Sequence, residues 1–157
     1  MKKLYCDASF DWKSTNQTDE NVVRGKIAVS DGKDYNVVEK VAIGKVPKLK
    51  QYNNILELFA IGRAIEIAIE KEFGASRAEQ GGILSLWSDS RVAISWAHNG
   101  KINPKVLTEA HTSALEYVLL MKEKYKSEVQ FNFIPRDDNP AGHLLEKELK
   151  REKPHTV

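Results

Sequence analysis

Asp7 lies inside an apolar run, Leu4-Tyr5-Cys6-Asp7-Ala8-Ser9, where a carboxylate competes for backbone hydrogen bonds and is costly to bury without a partner. A second acid, Asp89, follows another short apolar run in Ser88-Asp89-Ser90. A third, Glu57, sits one or two positions from Ile55, Leu58 and Phe59 in a helical pattern. Taken singly, each has a plain reading: Asp7 and Asp89 as polar strand ends, Glu57 as an early helix acid favoured by the macrodipole. Taken together they are three hard oxygen donors. If the strands leading to Asp7 and Asp89 lie side by side in parallel, as a β-α-β crossover allows, the two acids meet near one edge with the helix start close by. Carboxylates gathered in that way repel one another, and Mg²⁺ or Mn²⁺ is the kind of ion that such a set binds.

The elements that must position these acids follow from periodicity. Met1 to Phe10 reads as a strand, and Asp11 to Asn21 as a polar loop. Branched residues from Val22 to Ser30 and from Tyr35 to Ile43 predict two further strands, joined by the turn Asp31-Gly32-Lys33-Asp34, so that the first three strands form an antiparallel meander. Gly44 to Tyr52, with three lysines and a proline, suits a loop. From Asn54 the period changes to three and four, through Ile55, Leu58, Phe59, Gly62, Ile65 and Ile69 to about Phe73, with Asn53 or Asn54 as N-cap. After a polar loop at Gly74 to Gly82, Ile83 to Trp87 predicts a short strand. Arg91 to His98 reads as a helix packed through Val92, Ile94 and Trp96 and stopped by Asn99-Gly100. A longer helix is predicted from Pro104 to Tyr125, with a stripe of Val106, Leu107, Ala110, Ala114, Val118 and Met121. Val129 to Ile134 alternates as a strand, Pro135 to Asn139 is a loop, and Pro140 opens a last helix carrying Leu144, Leu145 and Leu149. The predicted order is β-β-β-α-β-α-α-β-α.

The 157 residues, of which 41% are hydrophobic, suffice for one core and predict a single domain over 1–157. A formal charge of +2, from 24 basic and 22 acidic side chains, leaves any nucleic-acid surface to local clustering. The one cysteine, Cys6, has no internal disulfide partner. No secretory signal and no apolar run of about 18 residues is present, so a soluble, cytoplasmic protein without membrane attachment is expected.

At four places in order the chain resembles the ribonuclease H family: Leu4-Tyr5-Cys6-Asp7-Ala8-Ser9 is similar to its strand-one Asp-Gly-Ser motif, Asn53-Asn54-Ile55-Leu56-Glu57-Leu58 to its Asn-Asn-x-x-Glu-Leu, Leu86-Trp87-Ser88-Asp89-Ser90 to its hydrophobic-Ser-Asp-Ser, and Ile134-Pro135-Arg136 through Asn139 to the loop before its last helix. The resemblance implies an α/β fold with a five-stranded mixed sheet, three antiparallel strands followed by two parallel additions, flanked by helices. It also implies an endonuclease that hydrolyses the RNA strand of RNA/DNA hybrids with two Mg²⁺ or Mn²⁺ ions, leaving 3′-hydroxyl and 5′-phosphate ends. Asp7, Glu57 and Asp89 would be its metal-binding, catalytic carboxylates, and the partner would be the hybrid, bound by a monomer.

Two departures follow. Where the family reads Asn-x-x-Ala-Asp-x-Leu-Ala, this chain has Asn139-Pro140-Ala141-Gly142-His143-Leu144-Leu145-Glu146, placing His143 at the last acid. Either His143 or Glu146, one helical turn on, would complete the metal shell, and imidazole tilts the site toward tolerance of Mn²⁺. The flexible His common in the loop before the last helix is also missing; Arg136 and Asp137 stand there. For substrate, Asn53 and Asn54 carry amides suited to a 2′-hydroxyl. Ser9, Ser90, Arg91 and Lys101 are backbone-contact candidates, with Lys45, Lys48 and Lys50 adding positive charge. Rival readings are a nucleic-acid-binding domain of the same fold with weakened catalysis, and a DNA nuclease or resolvase of the superfamily.

Overall fold

The computed structural model describes residues 2–11, 21–47, 52–71, 82–103, 105, 107–125 and 127–152. Residues 12–20 of the predicted loop Asp11–Asn21 and 74–81 of the predicted loop Gly74–Gly82, together with Phe73, Lys48, Lys50, Pro104 and Val106, lie outside the described residues.

Five strands form one sheet: β1 (Lys2–Phe10), β2 (Val22–Ser30), β3 (Asn36–Lys45), β4 (Leu84–Ser88) and β5 (Val129–Phe133), in the order β3-β2-β1-β4-β5. The β1–β2 and β2–β3 pairs are antiparallel; β1–β4 and β4–β5 are parallel. Strand β1 is therefore central, which explains a strand of Leu4, Cys6 and Ala8 buried on one face. Pairing of β1 with β4 stops at Tyr5 opposite Trp87, so β1 runs on past the end of β4 and leaves Asp7 beside the β4 carboxyl end. That is where open α/β sheets place their ligands.

The helices are α1 (Asn53–Glu70), α2 (Arg91–Asn99), α3 (Glu109–Lys124) and α4 (Pro140–Glu152). Helix α1 packs against β1 and β2 on one side and α3 on the other, so its buried positions encircle it rather than forming one stripe. At its solvent edge, Arg63 binds Glu39 and Glu66 at 2.8 Å and Glu70 at 3.1 Å. Helix α4 covers the opposite sheet face, where Ala28, Ala141 and Leu145 make a small second cluster with Tyr5, Val38 and Leu144.

Several boundaries differ from those predicted, each for a local reason. Strand β3 continues to Lys45 because that residue still pairs with Val22. Helix α2 is buried through Ala93 and Ala97, whose small side chains permit close packing, while Val92 is exposed. Helix α3 starts at Glu109, not at position 104: the Thr108 hydroxyl accepts the His111 N–H and the His111 ring returns a bond to the Thr108 N–H. This reciprocal capping satisfies the first-turn donors, and Leu107 stays exposed ahead of it. Leu149, placed on the apolar side of the last helix, is likewise exposed.

Gly25 on β2 is a close-approach position. A Cβ there would meet the Ser9 carbonyl oxygen and would lie 2.7 Å from Leu56 Cδ1. Gly25→Ala is expected to lower unfolding stability by about 1–3 kcal/mol, the cost of overpacking a filled core. Urea denaturation checks this; a neutral or stabilising effect would contradict the packing of β1 and β2 against α1.

Candidate active site

The structure brings one ligand atom each from Asp7, Glu57 and Asp89 within 4.8 Å of one another. Among the described residues this is the only such group of His, Cys, Asp or Glu. Asp7 comes from β1, Glu57 from the first turns of α1 and Asp89 from the residue after β4. Asp7 and Glu57 are buried, with relative exposures of 8% and 6%.

Specific bonds hold the acids. The Ala8 N–H donates to Glu57 Oε1 at 3.2 Å, tying α1 to the strand that carries Asp7. Glu57 Oε2 is buried without a hydrogen-bond donor. Asn139, fully buried just before α4, donates to the Cys6 carbonyl at 3.0 Å and accepts the Ala141 N–H at 3.1 Å; it also hydrogen-bonds Asp89. One amide thus links β1, the loop after β4 and the start of α4.

The electrostatics report crowding. Burial, followed by repulsion from Asp7 and then Asp89, holds the Glu57 carboxyl well above its usual range. Asp89 is pushed up to about 6 by burial and then by Asp7, against the opposing pull of Asn139 and Arg136. Burial, with Glu57, Asp7 and Asp89 adding to it, also raises the Cys6 thiol. The thiol is therefore a packing group, and its Sγ–H points to the Trp87 carbonyl at 3.7 Å.

A cavity of about 530 Å³ opens over the acids, lined also by Asn53, Asn54, Ser90, Arg91, Phe133 and Arg136. Asn53 and Asn54 do not cap α1, as predicted for one of them: Tyr52 occupies the N-cap without a side-chain bond. Instead Asn53 Oδ1 accepts the Phe10 N–H at 3.2 Å, and Asn54 Oδ1 accepts the Ser90 hydroxyl at 3.3 Å. These bonds orient both amides at the cavity rim. Ser90 also caps α2, accepting the Ala93 N–H at 3.1 Å. The Arg91 guanidinium lies 3.7 Å from the centroid of the Phe133 ring.

Ser9 and Lys101 do not line this cavity, and neither does His143 or Glu146. His143 is exposed, its Nε2 2.7 Å from the Asp137 carbonyl oxygen, and with Glu146 it faces a separate cleft beside Asn36 and Lys147. The residue of α4 that meets the acids is Gly142, where a Cβ would lie 3.0 Å from Asp7 Oδ2. Successive helix positions turn by about 100°, so a helix presenting residue 142 to Asp7 turns residue 143 aside. Phe133, Asn139 and Gly142 carry no assigned role in the sequence reading; of these only Asn139, an Asn before Pro at a helix start, had a visible signal as a cap.

No protein-family model matches the sequence, and no curated protein sequence matches it. Solved structures do. The N-terminal RNase H domain of Rv2228c from Mycobacterium tuberculosis superposes with a TM-score of 0.56 at 12% identity, covering 88% of this chain and 92% of that one. RNase H1 from the halophilic archaeon Halobacterium salinarum NRC-1 gives 0.53 at 17% identity over 95% and 97%. The chain has the ribonuclease H fold. A third structure with this fold, LC11-RNase H1 in complex with an RNA/DNA hybrid, gives 0.56 at 17% identity over 94% and 98%. The element order and the sheet of three antiparallel strands with two parallel additions are those predicted above.

The raised carboxyl groups set a pH dependence. A carboxyl with a folded value above its unfolded one, near 3.9 for Asp, contributes stability from its protonated form below that value and loses it as pH rises through the folded value. For Asp89 the loss runs from its unfolded value up to about pH 6 and is complete above it. A divalent cation must displace the same protons. The thermal shift produced by Mn²⁺ is therefore expected to shrink as pH falls from about 7 to about 5, less so in Asp89→Asn; a shift independent of pH in the native chain would contradict the assignment.

Proposed function

We propose that the protein is an endoribonuclease that hydrolyses the RNA strand of RNA/DNA hybrids. The observation that carries this reading is the juxtaposition of Asp7, Glu57 and Asp89 within 4.8 Å at the carboxyl end of β4 in a ribonuclease H fold. Buried like charges and a Glu57 oxygen without a donor fit a hard divalent cation, Mg²⁺ or Mn²⁺, held by these three carboxylates. Such a cation would supply positive charge to the phosphodiester and activate water.

The reaction is in-line attack of water on phosphorus with cleavage of the P–O3′ bond, leaving a 3′-hydroxyl and a 5′-phosphate. The chain's own groups bind and orient. Ala8 and Asn139 fix the carboxylates. Asn53 and Asn54 at the rim are suited to the 2′-hydroxyl, which both donates and accepts a hydrogen bond and distinguishes RNA from DNA. Arg91, stacked on Phe133, and Arg136 place positive charge against the backbone on the far side of the acids. Ser90 holds Asn54 in place.

Of the two fourth-ligand candidates, His143 and Glu146, we take His143 for test. It adjoins Gly142 at the start of α4, whereas Glu146 lies a turn further along; the imidazole stands against the Asp137 carbonyl outside the cavity over the acids and would have to swing away from it, with a shift of the helix, to join the shell. His143→Asp, which restores an oxygen donor, is expected to raise activity in Mg²⁺ relative to Mn²⁺. An unchanged ratio of the two activities would remove His143 from the metal shell.

End-labelled RNA/DNA hybrid, duplex DNA and duplex RNA, each incubated with Mg²⁺ or Mn²⁺, test the activity itself. Cleavage of the hybrid alone is expected, and Asp7→Asn should reduce it by more than about 100-fold, beyond the usual loss for an outer-shell residue. Duplex DNA cleavage would favour a DNA nuclease. Binding without cleavage under either metal would favour a nucleic-acid-binding domain.

A further inference from the structure

Two arginines line the cavity over the acids, and they are engaged differently. The charge of Arg136 opposes the upward push on Asp89. Arg91 is exposed and only two residues from Asp89, yet among the described residues it forms an ion pair with no carboxylate. Its guanidinium carbon lies 3.7 Å from the centroid of the Phe133 ring instead. Arg91 is also the first residue of α2, where the positive end of the helix dipole disfavours a cation, so the face of an aromatic ring is what offsets the placement.

Core packing does not account for Phe133. Phe131, on the same face two residues earlier, packs against the main core, whereas Phe133 belongs to neither hydrophobic cluster and stands half-buried at the cavity. The ring is firmly placed. Phe133 ends β5 opposite Ser88, the next residue's N–H donates to the Ser88 carbonyl at 3.0 Å, and the Ser88 hydroxyl accepts the Ser90 N–H at 3.1 Å. The end of β5, the turn carrying Asp89 and the start of α2 are thus braced together. Stacking occupies the flat face of the guanidinium and leaves its five N–H groups in the ring-parallel plane, where among the described residues no acceptor engages them. A planar fork of that kind matches two oxygens of a phosphodiester.

We propose that Phe133 is a positioning residue, which holds the Arg91 guanidinium away from Asp89 and presents its N–H fork to one backbone phosphate of the hybrid at the catalytic cavity. The proposal rests on the hybrid-cleaving reading above. A phosphate contact fixes the register of the substrate without regard to sequence.

The test uses full-length protein carrying Asp7→Asn, so that substrate persists, and fluorescence anisotropy of a labelled RNA/DNA hybrid between about 50 and 200 mM salt. Adding Arg91→Gln is expected to lower the slope of log affinity against log salt by about one. Arg91→Lys should weaken binding while keeping the slope, because it keeps the charge and loses the fork. Phe133→Leu should weaken binding about 2- to 5-fold, and Phe133→Tyr, which keeps the ring, should restore it. In the Arg91→Gln background Phe133→Leu should have no further effect, an outcome that a merely structural ring would not give. In the otherwise native chain with Mn²⁺, the effect of Phe133→Leu should fall on KM rather than kcat. Single neutral methylphosphonates scanned along each strand should weaken binding at one position in protein with Arg91 and not in Arg91→Gln, which identifies the strand. Equal effects of Phe133→Leu with and without Arg91, or an unchanged slope in Arg91→Gln, would overturn the pair while hybrid cleavage by the native chain still stood. Arg91 is exposed, so its variants decide the question even if Phe133→Leu does not fold. An abasic nucleotide showing the Arg91 dependence in place of a methylphosphonate would overturn phosphate binding in favour of base stacking on the guanidinium. A native chain that neither binds nor cuts the hybrid would overturn both the pair and the nuclease reading.

Discussion

The repulsion among three carboxylates shapes this protein more than any single attraction. Asp7, Glu57 and Asp89 share one small volume, two of them buried, and the protonation of Glu57 and Asp89 shifts accordingly. A fold that merely minimised its free energy would separate them or neutralise them with an arginine; Arg136 only partly offsets Asp89. The surrounding structure instead forces them together. Strand β1 is central, and its far half is free of β4, so Asp7 stands at the end of β4 with Asp89 one residue beyond that strand. The Ala8 N–H brings in Glu57, and Asn139 ties the remaining elements to Cys6. Catalytic sites concentrate such unfavourable charge because the ligand or transition state relieves it.

The same tension explains the role of α4. Its first turn approaches Asp7 so closely that a Cβ at residue 142 would lie 3.0 Å from Asp7 Oδ2, and glycine occupies it. Asn139 caps the turn and reaches back to β1. Packing of Ala141 and Leu145 on Ala28 fixes the helix on the sheet. The helix axis, and with it the direction of residue 143, is thus set by small apolar contacts rather than by the acids themselves.

Much of the fold is legible in the sequence. The span predicted for β2, Val22 to Ser30, is the observed strand, because alternation and the Asp31-Gly32 turn leave little choice of register. The element order and the convergence of Asp7, Glu57 and Asp89 follow from strand and helix periodicity together with the family resemblance. Side-chain placement is less legible. The start of α3 depends on a bond between Thr108 and His111 that no apolar pattern encodes. Asn53 and Asn54 look like caps locally, yet β1 and Ser90 claim their amides from more than thirty residues away in sequence. His143 turns on about 100° of helix rotation, which the spacing from Asn139 leaves undetermined. The stacking of Arg91 on Phe133 joins α2 to β5 and becomes visible only once those elements pack.

The central proposal is that the three acids form a divalent-cation site whose open side faces the substrate. Anomalous scattering from crystals of the Asp7-containing protein grown with Mn²⁺ and an uncleavable hybrid measures this directly. A strong anomalous peak bounded by Asp7, Glu57 and Asp89, with phosphate oxygen on its open side, is expected. A peak only in the cleft beside Asn36, His143 and Lys147, or none near the three carboxylates at saturating Mn²⁺, would contradict it.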